Sequence, residues 1–101
     1  MSTPLDIAKL EAESSTMKQR HGACVVKNGK IISSGRNRTR TKWPSIHAEI
    51  DALRNLSFKD RYGSTVYVVR VGTDGTLRNS MPCKMCSRCM LKWGVEAVWS
   101  K

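Results

Sequence analysis

The sequence predicts an α/β fold: a three-layer α-β-α sandwich around a mixed, mostly parallel sheet of about four strands. Three observations carry this expectation. Helical and β-branched segments alternate in the order α-β-β-α-β-α-β. The first two strands flank Asn28-Gly29, the dipeptide that most strongly marks an antiparallel hairpin. Each later strand follows a helix, and helical crossovers are right-handed and make the strands they join parallel. At 101 residues the chain forms one domain, residues 1–101, with a single modest core.

Thr3-Pro4-Leu5-Asp6 supplies a capping hydroxyl, a proline for the first turn and an acid for the helix N-terminus. The helix it starts has Leu5, Ala8, Ala12 and Ile7 on its apolar side and is expected to run to about Arg20. Ala23-Cys24-Val25-Val26 reads as a short apolar strand, and Lys30 to Ser34 as its antiparallel return. Gly35 to Ser45 is a polar, basic loop. His47 opens a second helix to about Leu56, with Ile50, Leu53 and Leu56 on one face. Ser64 to Val71 is β-branched and aromatic, which suits a buried strand. Asp74-Gly75 marks a turn. Pro82 fits the first turn of a third helix, Cys83 to about Trp93, and Gly94 its stop. Val95 to Trp99 is the last strand.

No run is apolar and long enough to span a membrane, and the N-terminus lacks the pattern of a secretory signal. A cytoplasmic or nuclear location is therefore expected. Cys83, Cys86 and Cys89 crowd together at x2 spacings, which suits a metal better than disulfides, while Cys24 reads as a small buried strand residue. The formal net charge is +10, and no acidic residue lies between Glu13 and Glu49. That interval holds Lys18, Arg20, Lys27, Lys30, Arg36, Arg38, Arg40 and Lys42. These charges fit either a solvated surface or contact with phosphate or a polyanion.

The residues that carry chemistry are His47-Ala48-Glu49 and Pro82-Cys83-Lys84-Met85-Cys86. Cys83 and Cys86 are i, i+3 on one helix face and fall at its start, where free N–H groups favour thiolate. With His47 at the start of another helix, they make a His-Cys-Cys set for Zn2+ that leaves a fourth position for water. Zinc lowers the pKa of such a water towards neutrality. Glu49, two residues from His47, can reach that water without binding the metal and can move its proton. A closed structural site of His47, Cys83, Cys86 and Cys89 is the competing arrangement. Cys89 lies a full turn further down the helix, which favours packing beneath the site.

From Gly22 to Trp99 the chain resembles the cytidine deaminase-like superfamily, in the branch with histidine as first ligand. That branch contains deoxycytidylate deaminases and tRNA adenosine deaminases. Besides the two motifs, the resemblance rests on Gly22-Ala23-Cys24-Val25-Val26 with Asn28-Gly29, Gly35-Arg36-Asn37, Ile50-Asp51-Ala52-Leu53, Val66-Tyr67-Val68-Val69 and Gly94-Val95 with Val98. It implies a truncated cytidine deaminase-like fold, zinc on His47, Cys83 and Cys86, and proton transfer by Glu49. It also implies contact of Asn37 with the substrate sugar or base, and of the Ala48 backbone with the base. The expected reaction is hydrolytic deamination with release of ammonia. The family usually continues with a fifth strand and a helix. Here Lys101 follows the fourth, so an exposed strand edge and a homo-oligomer are expected.

A cytosine nucleoside or nucleotide, of the cytidine or deoxycytidylate type, is the expected substrate. Arg36, Arg38, Arg40, Lys42 and Trp43 cluster in the basic loop. They fit a phosphate-bearing substrate, or a single strand of DNA or RNA with Trp43 stacked on a base, or a solvated loop with Trp43 packed on the sheet. Two alternatives therefore remain: a deaminase of cytosine or adenine in single-stranded DNA or RNA, including tRNA, and a non-catalytic zinc module that binds nucleic acid.

Overall fold

The computed structural model describes residues 3–39 and 46–101. Arg40, Lys42 and Trp43 lie outside the described residues.

The first helix, α1 (Pro4–Ser14), begins as the sequence predicts. Thr3 Oγ1 accepts the Asp6 N–H and the Thr3 N–H donates to the Asp6 carboxylate, a reciprocal cap. It ends well before Arg20 because Ser15 turns to an extended conformation and its hydroxyl bonds Asn37 instead of continuing the helix. Strands β1 (Arg20–Lys27) and β2 (Lys30–Arg36) form the expected hairpin. Asn28 and Gly29 both have positive φ, as a tight hairpin turn requires. Helix α2 (Ala48–Leu53) starts directly after His47. Two elements were not foreseen: α3 (Phe58–Arg61), capped by Ser57, and the two-residue strand β4 (Leu77–Arg78). Between them runs β3 (Thr65–Val71). Helix α4 (Lys84–Lys92) is followed by Gly94 in the left-handed region and then β5 (Glu96–Trp99).

The sheet runs β2-β1-β3, and the far side of β3 is shared by β5 along its first half and β4 along its second. Strands β2, β3 and β5 point the same way, as the helical crossovers require, while β1 and β4 oppose them. The sheet is mixed as expected. The balance differs, however: β3–β5 is the one parallel ladder among the described strands, because β1 intervenes between β2 and β3. The paired sides of β4 and β5 are joined by serines. Ser80 donates its N–H to the Ser100 carbonyl at 2.8 Å and its hydroxyl to the Val68 carbonyl at 2.8 Å.

The layers follow the strand alternation. Cys24, Val69 and Val71 pack on Ala8 and Ala12 of α1. Ala23, Val25, Val66 and Val68 face the other way, onto Ala48, Ala52 and Leu53 of α2 and Cys86 and Met90 of α4. Two glycines let the helices approach the sheet this closely. A Cβ on Gly22 would lie 1.9 Å from the Ala8 carbonyl oxygen, and one on Gly35 would lie 2.5 Å from the Ala52 nitrogen. Trp93 and Trp99 pack against the core from partly buried positions, and Arg61 lies over the Trp93 ring at 4.4 Å. Among the described residues no helix is long and apolar enough to cross a membrane.

Candidate metal centre and cavity

His47 and Cys83 each occupy the residue just before a helix, with the extended backbone of a cap. That position leaves a side chain free to project from the helix end. Cys86 lies one turn into α4 and is fully buried. The Cys83 sulfur accepts the Cys86 N–H at 3.4 Å, so the cysteine itself caps the helix. His47 Nδ1 lies 3.1 Å from Cys86 Sγ and 3.5 Å from Cys83 Sγ.

All three donor atoms fall within 4.8 Å of one another. Tetrahedral bonds of about 2.3 Å to sulfur and about 2.0 Å to nitrogen separate such donors by roughly 3.5–3.8 Å. The donor types and spacings therefore fit zinc. Cys89 is not part of this cluster, so the closed four-ligand arrangement does not form among the described residues. Burial, followed by the Glu49 charge and then Cys83, pushes the Cys86 thiol up. At Cys86 burial thus works against the helix start, and a cation held by the three donors would favour the thiolate. Cys24, on the α1 side of the sheet, is also pushed up by burial, to about 11, and is an inert core residue as expected.

Glu49 is 4% exposed. Burial raises its pKa; its own backbone N–H, His47 and the Cys86 side chain oppose the rise. It opens with His47, Ala48 and Cys83 onto a cavity of about 460 Å³, a size suited to a small organic molecule. Met17, Lys18, Gln19 and His21 form a further stretch of its lining, with Asn37, Ser80 and Met81 completing it. The structure therefore brings together His47, Ala48, Glu49, Cys83, Cys86 and Asn37 of the residues singled out in the sequence.

It does not bring Arg36 or Arg38 to the described cavity wall. For Arg38 the cause is Asp51, whose side chain is only 5% exposed. Its carboxylate accepts the Arg36 N–H at 3.1 Å and the Arg38 guanidinium at 2.8 Å, and pairs with Arg54 at 3.2 Å. The Arg38 side chain is thus held at the base of the basic loop, where Arg38 and Ile46 also bridge through their backbones. Trp43 lies outside the described residues. The sequence reading missed the wall of Met17 to His21, which precedes the first recognisable motif and has no residue pattern of its own. It also missed Asp51 as a hub. An acid shortly after the His-x-Glu motif, with arginines on both sides in sequence, was the available signal.

Three comparisons with known proteins bear on this site. The family described as the cytidine and deoxycytidylate deaminase zinc-binding region matches residues 2–100. No curated protein matches the chain in sequence. Among solved structures, the dCMP deaminase of cyanophage S-TIM5 in its apo form is 26% identical, with a TM-score of 0.69, over 91% of this chain and 75% of that one. RibD of Acinetobacter baumannii (form 2) is 25% identical, with a TM-score of 0.58, over 96% of this chain and 25% of that one. The cytidine deaminase of Mycobacterium tuberculosis is 20% identical, with a TM-score of 0.62, over 94% of this chain and 79% of that one, a likeness of fold alone. With the donor set and cavity in place, the match over residues 2–100 means that the chain belongs to the cytidine and deoxycytidylate deaminase zinc-binding family.

Proposed function

We propose that the chain deaminates a cytosine nucleotide by hydrolysis. The observation that supports this most is the placement of buried Glu49 beside the three donor atoms and on the wall of a nucleotide-sized cavity. Zinc held by His47 Nδ1, Cys83 Sγ and Cys86 Sγ supplies Lewis-acid activation of a water. Glu49 takes a proton from the attacking water and passes it to the ring nitrogen N3. A carbon–oxygen bond forms at C4; Glu49 then takes the second proton, from the new C4 hydroxyl, and gives it to the amino group, so that the carbon–nitrogen bond breaks with loss of ammonia as the C4 carbonyl forms. The backbone at Ala48, fully buried at the first position of α2, borders the base.

Lys18 supports a nucleotide over a nucleoside. It is exposed at the cavity wall, where a phosphate gains from a cation, and it makes no ion pair among the described residues. The likeness to a dCMP deaminase supports the same choice. The net charge of +10 favours a second substrate class, a single strand of nucleic acid.

The test is a panel of dCMP, deoxycytidine, adenosine and single-stranded oligonucleotides incubated with zinc-loaded protein, with products read by mass. Turnover of dCMP in preference to deoxycytidine, with the preference lost in Lys18→Gln, is expected. Turnover of no member of the panel sinks the enzyme reading. Turnover confined to oligonucleotides, falling steeply with salt, establishes the second class.

A further inference from the structure

Residues 15–19 join α1 to β1 without helix or strand, yet Met17, Lys18 and Gln19 line the cavity, as does His21 at the start of β1. A wall without a ladder needs other anchors for its backbone. Asn37, just past the end of β2, ties the two ends of this segment, Ser15 and Gln19–His21, and the Ser15 hydroxyl oxygen accepts the Met17 N–H at 3.3 Å. Asn37 Oδ1 accepts the Ser15 hydroxyl at 2.7 Å and the His21 N–H at 2.9 Å. Its Nδ2 donates to the Gln19 carbonyl at 2.5 Å. Its backbone carbonyl accepts the same Ser15 hydroxyl at 2.9 Å, and its N–H donates to the His21 carbonyl at 3.2 Å. Ser15 and Asn37 are each 7% exposed, so these groups have no ready substitute in water. Both lone-pair directions of the amide oxygen are used, and one of the two Nδ2 protons is committed. The amide is therefore spent mainly on the wall.

We propose that Ser15 and Asn37 act as positioning residues that set nucleotide selectivity, by fixing the Met17–His21 wall and with it Lys18. The proposal rests on the reading of the cavity as a nucleotide site. It assigns Asn37, which also lines the cavity, an effect exerted through the wall beside the sugar or base contact that the resemblance implies. Ser15 is the informative position, because it does not itself line the cavity.

Ser15→Ala, Asn37→Ala, the double variant and Ser15→Thr are compared as full-length, zinc-loaded chains. Ser15→Ala raises KM for dCMP about tenfold, the change that one lost buried hydrogen bond represents. It leaves kcat within about twofold, the fold-change of a few tenths of a kcal/mol. The KM for deoxycytidine, which has no phosphate for Lys18, moves less. The double variant is no worse than Asn37→Ala, since both act on one device, and Ser15→Thr restores KM. Hydrogen exchange of the 16–21 amides speeds up in Ser15→Ala, with zinc content unchanged.

An unchanged KM in Ser15→Ala, multiplying effects in the double variant, or unaltered exchange over 16–21 overturns the proposal. If the parent protein turns over neither substrate, the enzyme reading fails while the exchange rates still decide the role of the wall.

Discussion

His47 Nδ1 and Cys86 Sγ lie 3.1 Å apart, although one belongs to the start of α2 and the other to the first turn of α4. The contact joins two helices on the same face of the sheet. Replacing Cys86 with alanine leaves only His47 and Cys83 as donors. Zinc affinity, measured by competition with a chromophoric chelator, is expected to fall more than about a hundredfold, since loss of an outer-shell partner alone costs 10–100-fold. Chelation of zinc from the parent protein should also lower its melting temperature, because a ligand bound only by the folded state stabilises it.

Glu49 shares the cavity lining with His47 and Cys83 without belonging to the donor set. Glu49→Gln keeps the shape and removes the proton carrier. Deamination of dCMP should fall by about 10²–10⁴, with one zinc per chain retained by elemental analysis. Activity equal to the parent's would refute the role given to this carboxylate.

Gly22 and Gly35 are held by one kind of constraint and Gly29 by another. Alanine at either of the first two positions pushes a Cβ into a helix backbone and should cost about 1–3 kcal/mol in denaturant unfolding. Gly29→Ala meets nothing within 4 Å but holds a φ of +76°, so it should cost only the backbone strain of about 1 kcal/mol.

His21 supplies a pH dependence of stability. Burial lowers its pKa from 6.5, with Arg70 and His47 adding to the effect and the Gln19 backbone opposing it. The unfolded state therefore binds more protons than the native state just below pH 6.5, so this contribution is present above that pH and is lost as pH falls through the folded value. Urea titrations from pH 7.5 to 5 should show the parent losing more stability than His21→Gln. Parallel curves would show that His21 carries no such linkage.

The donor cluster was legible because its chemistry is local: a histidine, two cysteines and a proline announce helix starts, and the structure gathers all three donors near two of them. The hairpin was legible because Asn28-Gly29 encodes its own turn. Elements decided by distant partners were not. The end of α1 depends on a hydroxyl reaching Asn37, and β4 exists only as two residues paired with Arg70 and Val71. Arg36 and Arg38 looked like substrate contacts because sequence shows charge without direction. Asp51, buried beside Arg38, decides the direction of that side chain.

Ser80 stands on the cavity wall, and its N–H is paired with the carbonyl of Ser100. Ser100 in turn donates its N–H to Ser80 Oγ at 2.9 Å and its hydroxyl to the Arg78 carbonyl at 2.5 Å. The edge of the cavity is therefore fastened to the residue that follows β5, and loosening the end of that strand would be felt at Ser80 on the wall.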